Sequence, residues 1–281
     1  YGNCIAGPMQ RAFGTRRGET VYYRPMEVVE TECYPDIGTL NLRGELPRGE
    51  RRLPLDAVTT LVRARDTLLH SIDVSGNRLE LEEMAKIGET MLSNFKSKIA
   101  GIHTDEYNLK AETTTLNIHK MRIRPEAFVL LAGAVRANTS LTSLNVSHNY
   151  MVEWAGHRRG KLIPVQLCGV QAMAKAISDS TRNVTCNLQY LNMCSNSLGS
   201  DGAAAISIIL PNNALRTLNL RDNKLGDEGM AALEEGLAES SLTALDLSDN
   251  AIRVSGTLAL ARSLPKMEKL IELRLAANHV M

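Results

Sequence analysis

Trp154, His157, Arg158, Arg159 and Lys161 fall together in one short stretch of this 281-residue chain, between Val152 and Pro164, and Trp154 is its only tryptophan. Tryptophan and arginine are over-represented where proteins hold other proteins, because each desolvates a large planar group and still donates hydrogen bonds. The cluster has two readings: it anchors a partner, or the indole folds back over the edge of the core and leaves the cations in water. Nucleic acid is the less favoured ligand for so short a basic run, since no RNA- or DNA-binding motif accompanies it.

Catalytic chemistry is harder to find. His119 and Cys194 could serve as base and nucleophile only if the fold brought them within hydrogen-bond reach. The sequence holds no glycine-rich phosphate loop followed by Lys-Ser or Lys-Thr, no H-E-x-x-H pair and no zinc-type spacing. Its five cysteines, Cys4, Cys33, Cys168, Cys186 and Cys194, form no C-x-x-C pair and make an odd total. Reduced thiols in an intracellular protein are expected from that count, with the cytoplasm as the compartment. No enzyme activity, cofactor or metal is expected.

The elements that must position these groups are announced by a ruler of leucines. Leu215, Leu218, Leu220, Asn223 and Leu225 read as L-x-x-L-x-L-x-x-N-x-L. The spacing returns at Leu69/Ile72/Val74/Asn77/Leu79, Leu141/Leu144/Val146/Asn149/Met151, Leu188/Leu191/Met193/Asn196/Leu198, Leu242/Leu245/Leu247/Asn250/Ile252 and Leu270/Leu273/Leu275/Asn278/Val280. A blurred copy stands at Thr113/Leu116/Ile118/Met121/Ile123, and Leu40/Leu42 begin a degenerate first one. From Asn196 to Asn223 and from Asn223 to Asn250 is 27 residues, and from Asn250 to Asn278 is 28. Fixed-period self-similarity of this length marks a solenoid, in which each unit buries its apolar face only against its neighbours.

Each unit is long enough for a strand and a helix. After the strand come Gly202/Ile206/Leu210, Gly229/Leu233/Leu237 and Gly256/Leu260/Leu264, and residues four apart share one helix face. Asp201 and Asp227 stand where N-caps belong. The asparagines at position nine, Asn77, Asn149, Asn196, Asn223, Asn250 and Asn278, are expected to be structural, bonding backbone groups stripped of partners as the chain turns out of the strand. Met121 lacks that amide, so its turn should be irregular or supported in another way. Positions three, five and seven of the strands face away from the core, and the middle column is almost entirely Asn or Asp, expected to bond laterally. Large or charged side chains in these columns are few, and Tyr190, Arg221 and Arg274 join Trp154, Arg158 and Arg159 as candidate protein-binding residues. His119 and Cys194 fall two strands apart, about 10 Å at roughly 4.8 Å per strand, too far for a nucleophile and its base.

The run from Cys186 to Met281, centred on Leu215 to Gly229, resembles the ribonuclease-inhibitor-like subfamily of leucine-rich repeat proteins. It is also similar to the repeats of Ran GTPase-activating proteins and to repeat proteins of protists and algae. The resemblance covers about residues 37 to 281. It implies an α/β leucine-rich repeat solenoid, a horseshoe of about eight repeats with a parallel sheet on the concave face and helices on the convex face. It also implies a non-enzymatic scaffold for protein partners, as a transient receptor or as a subunit of a larger assembly. A GTPase activator of the Ran type is the alternative.

Residues 1–36 carry no repeat and form the expected lead-in; 37–281 form the repeat domain, with insertions near 96–112 and 152–168. The first insertion is expected to add a strand or hairpin beside the sheet, and insertions of this kind commonly carry binding. Charge is nearly balanced, Lys+Arg 32 against Asp+Glu 31, so no global field recruits nucleic acid or an anionic membrane. No run reaches the length of a membrane-spanning helix, so direct membrane insertion is not expected. The sequons at Asn138, Asn145 and Asn183 are read as products of Asn- and Ser-rich repeats. Because the chain starts without Met and stops directly after a strand motif, it is read as an excerpt of a longer polypeptide.

Overall fold

The computed structural model describes residues 14–16, 19–21, 39–41, 55–63, 69–77, 79–94, 96–158, 161–178, 187–211 and 214–279. Within the lead-in, β1 (Gly14–Arg16) and β2 (Glu19–Val21) pair antiparallel. The repeats then run as β3 (Thr39–Asn41), α1 (Leu55–Arg63), β4 (Ser71–Asp73), α2 (Leu81–Ser93), β5 (Gly101–His103), β6 (Asn108–Leu109), β7 (Thr115–Asn117), α3 (Pro125–Ala137) and β8 (Ser143–Asn145). They continue as β9 (Glu153–Arg158), β10 (Lys161–Gln166), α4 (Cys168–Ser178), β11 (Tyr190–Asn192), α5 (Gly199–Ser207), β12 (Thr217–Asn219), α6 (Gly226–Ala238), β13 (Ala244–Asp246), α7 (Val254–Ser263) and β14 (Glu272–Arg274).

The parallel sheet is built in register on the ruler. Leu116 pairs with Leu144, Leu144 with Leu191, Leu191 with Leu218, Leu218 with Leu245, and Leu245 with Leu273. Leu218 and Leu245 are buried, as are Leu220, Leu247 and Ile252 behind them, and Gly229, Leu233 and Leu237 close over them from α6. A fully buried leucine is worth about 1.5–3 kcal/mol, so the stacked layer supplies most of the stabilisation. At the last rung, Leu270, Leu273 and Leu275 are only partly buried, because β14 pairs on one side alone. The helix stripe holds except at Leu264, which lies in a 3₁₀ turn beyond α7 and is exposed, and at Leu210, which is buried but follows the end of α5.

Two features differ from the expectations. Asp201 and Asp227 do not cap their own helices; α5 and α6 begin earlier, with Leu198 and Leu225 at the cap. Asp227 serves the next repeat instead, where its Oδ1 accepts from the backbone N–H groups of Arg253 and Gly256 at 2.8 Å, at the start of α7. The Asn/Asp column bonds mainly along the chain; Asp73 alone among the described members also bonds laterally, its Oδ2 3.1 Å from His103 Nδ1 on the neighbouring strand. Asn145, Asn192, Asn219 and Asp246 each accept from the backbone N–H two residues on, which closes the turn out of their own strand.

The insertion after α2 is a further rung. β5 pairs parallel with β4, Ile72 opposite Ile102, so Ile99, Ile102 and Thr104 occupy ruler positions that an expected count of about eight repeats passed over. The chain then reverses, and β6 pairs antiparallel with β5. That reversal takes the edge β7 would have used, and the sheet divides into β3-β4-β5-β6 and a six-stranded β7-β8-β11-β12-β13-β14. The helix layer bridges the break. A Cβ on Gly88 of α2 would lie 2.3 Å from the carbonyl oxygen of Val129 in α3, so only glycine permits this approach. Arg136 donates to the carbonyls of Met91 and Asn94, and the buried Asn138 donates to those of Ala100 and Lys110. One apolar core runs through both parts.

Candidate protein-binding face

Two strained positions flank the asparagine in each of the turns after β11, β12 and β13. Ser195/Ser197, Asp222/Lys224 and Asp249/Ala251 all take positive φ, between 53° and 57°, a conformation costing non-glycine residues about 1–2 kcal/mol each. The asparagine between them offsets that cost. Asn223 is fully buried; its Nδ2 donates to the carbonyls of Leu220 and Arg221 in its own turn and of Met193 in the preceding one. Its Oδ1 accepts from the backbone N–H of Asn196 at 2.9 Å. Asn250 repeats the pattern on Asn223, and Asn278 on Asn250, so the side chains form a ladder that ties each turn to the one before. Asn149 reaches back to the carbonyl of Ile118 and the N–H of Ile123, which supports the turn where Met121 replaces the amide. Asn77 donates to the carbonyls of Val74 and Ser75. The Oδ1 of Asn196 is buried without a partner, at the rung that follows the second insertion.

That insertion is the hairpin β9-β10, with Lys161 opposite Arg158 and Leu162 opposite His157. The side chains of 155–165 lie outside the described residues, those of His157, Arg158 and Lys161 among them, and Arg159 is outside altogether. The base of the hairpin is pinned on both sides. Arg124 meets Glu153 at 2.8 Å, and Trp154 Nε1 donates to the carbonyl of Ser197 at 2.6 Å. The indole packs partly buried against the core and over Gly199, where a Cβ would come within 2.5 Å of the ring; Gly199 also takes a positive φ of 63°. Trp154 thus spends its donor and much of its surface on the next repeat.

The other candidates lie along the strand face. Tyr190 is half-buried between Ser143 and Thr217. Arg221 pairs with Asp249 at 2.6 Å and Arg274 with Glu272 at 2.6 Å, their side chains 55% and 63% exposed. Pairs this exposed contribute about 0–1 kcal/mol, so either guanidinium is readily turned toward an incoming carboxylate. His119 and Cys194 belong to turns two rungs apart, and His119 bonds Ser147 Oγ at 2.8 Å. Burial, with Glu126 nearby, pushes the Cys168 thiol up to about 11, so it stays protonated at neutral pH. Among the described residues no group of three ligating side chains could hold a metal ion, and no helix is long and apolar enough to cross a membrane. Of the sequons, Asn138 is fully buried with its amide bonded on both sides, so a glycan has no room there in the folded chain; Asn183 lies outside the described residues.

Position-by-position reading of the strand columns passed over the turns that follow them. Lys120, Arg122, His148 and Tyr150 are exposed there, and the rings of His119 and His148 meet edge to face, 4.8 Å between centroids. His119 is held below its ordinary value by desolvation and by the charge of His148 and Lys120, a sign of a positive environment. Their signal in the sequence was the eighth and tenth ruler positions, which carry no apolar side chain to bury.

Strand, turn and helix repeating on one continuous core define a solenoid of the α/β class. The leucine-rich repeat family model matches 137–150, 185–207, 212–233 and 239–261, which supports reading these units as leucine-rich repeats. Such repeats generally mediate protein–protein interaction and are typically non-enzymatic. No curated protein matches the chain.

Proposed function

We propose that this chain is a non-enzymatic scaffold that binds a protein partner within a larger assembly, through the outward face of its strands and the hairpin β9-β10. With strands about 4.8 Å apart and helices about 8–10 Å apart, the stack curves into a horseshoe of ribonuclease-inhibitor type, strands inside. The observation that carries the reading is the contrast on that face. Its Ser, Thr and Asn side chains are small and largely bonded to their own turns, whereas Tyr190, Arg221 and Arg274 are large and available. Trp154 fixes the base of the hairpin, and Arg158 and Arg159 are included in the proposed surface on their residue types.

Native co-purification with identification of co-eluting proteins tests this. The variant Tyr190→Ala/Arg221→Ala should weaken capture by at least about 2 kcal/mol while leaving the melt nearly unchanged, since anchors of this type dominate interfaces. Trp154→Ala is unsuitable as a binding probe because it also removes packing on Gly199. Accelerated GTP hydrolysis in a single-turnover assay with Ran would replace the scaffold reading by the GTPase-activator one.

A further inference from the structure

The eighth and tenth ruler positions form a rim along the turn edge, and its charge is graded. It carries Lys120 and Arg122 after β7, His148 and Tyr150 after β8, Ser195 and Ser197 after β11, then Asp222 and Lys224 after β12 and Asp249 after β13. The left-handed backbone recurs in every turn and needs no special explanation; the residue types at the β7 and β8 end do. Lys120 and Arg122 are exposed and make no ion pair among the described residues, and Arg124 and His119 stand beside them. Met121 and Tyr150, 43% and 55% exposed, sit among these cations. The two turns are one surface: Lys120 N–H donates to the Ser147 carbonyl at 3.1 Å, Tyr150 N–H to the Ile123 carbonyl at 2.9 Å, and the two imidazoles touch. Among the described residues the only acid bonded to it is Glu153, already paired with Arg124.

Unpaired cations on one tight turn are unfavourable neighbours, and no acid among the described residues pairs with Lys120 or Arg122. Interleaved with exposed apolar groups, they match a chain that carries carboxylates and apolar side chains together. From the rung of Lys120 to that of Asp222 is three strand spacings, about 14 Å, or roughly four residues of extended peptide. Beyond that the rim carries Asp222 beside Lys224 and Asp249 paired with Arg221, so the run of unpaired cations ends with the turns after β7 and β8. A short acidic segment matches a basic patch of that length.

We propose that the rim formed by the turns after β7 and β8 docks a short acidic and partly apolar segment of a protein partner. This rests on the scaffold reading and adds to it the place and chemistry of one contact. Fluorescence anisotropy of the full chain with a labelled peptide of alternating Glu and Leu tests it. Lys120→Glu/Arg122→Glu should weaken binding by at least about tenfold and flatten its salt dependence, because rim charges act through long-range attraction. Tyr150→Ala should weaken it with the salt slope retained, and the matched reversal Lys96→Glu/Lys98→Glu, in the exposed segment between α2 and β5, should leave it unchanged. Circular dichroism melts confirm that the variants fold. Binding unaffected by the Lys120/Arg122 reversal overturns the proposal, as does tighter binding of single-stranded RNA or of phosphatidylserine vesicles than of the peptide. If a natural partner still co-purifies with the reversed variant, this inference falls and the scaffold reading stands; if no protein co-purifies with the unaltered chain, the scaffold reading falls.

Discussion

Asparagine is demanded at the ninth position because the turn needs donors and an acceptor from one short side chain. Asn223 shares its two amide hydrogens among three carbonyls and accepts from the N–H of the preceding turn. Aspartate would offer no donor, and serine would not span two turns. Asn223→Ala should therefore cost about 1–3 kcal/mol, toward the upper end because several buried groups lose partners together. Asn278→Ala should cost less, since Asn278 is only partly buried and no later turn leans on it among the described residues. Denaturant melts of the two variants decide it, and equal losses would contradict the ladder as a shared support. Where the hairpin separates two units the ladder is interrupted, and the unpartnered Oδ1 of Asn196 marks the place.

At the scale of elements, the contact between α2 and α3 carries continuity past the break in the sheet. Gly88 lies within α2, where alanine is intrinsically preferred to glycine by about 1 kcal/mol. Local preference alone predicts that Gly88→Ala stabilises. The structure predicts the opposite sign, because the added methyl would meet the Val129 carbonyl at 2.3 Å and push two backbones apart. Overpacking of this kind costs about 1–3 kcal/mol, so a lowered thermal midpoint is expected; a raised one would mean the helices do not cross so closely. The hairpin β5-β6 gains its place from the same junction, where the buried Tyr107 donates its hydroxyl to the Ala127 carbonyl.

For the molecule as a whole, stability is a sum over layers and their interfaces, so position along the stack sets the cost of a defect. Leu245 is buried with a rung on either side, and Leu245→Ala should cost about 2–5 kcal/mol through lost burial and a residual cavity. Leu273, partly buried on the last rung, should lose distinctly less on the same change. Guanidinium melts of both variants measure the difference. A loss under about 1 kcal/mol at Leu245 would mean that the inward face has been misassigned.

The repeating unit was legible in the sequence because its causes are local. Alternation put Leu218, Leu220 and their counterparts inward, four-residue spacing put Gly229, Leu233 and Leu237 on one helix face, and the turn put Asn223 and Asn250 between strand and helix. What lies between units was not legible, because it depends on stacking register. Ile99 and Ile102 obey the ruler, but without an asparagine or a following helix only their pairing with β4 identifies the rung. Asp227 looks like a cap for its own helix and becomes one for α7, since the neighbouring repeat brings the Arg253 and Gly256 N–H groups within 2.8 Å. Trp154 had two open readings, and only the fold decided that its indole rests on Gly199 and Ser197 of the next repeat. The basic rim likewise exists only in three dimensions, where stacking sets Lys120 and Arg122 beside His148 and Tyr150, 28 residues further along the chain.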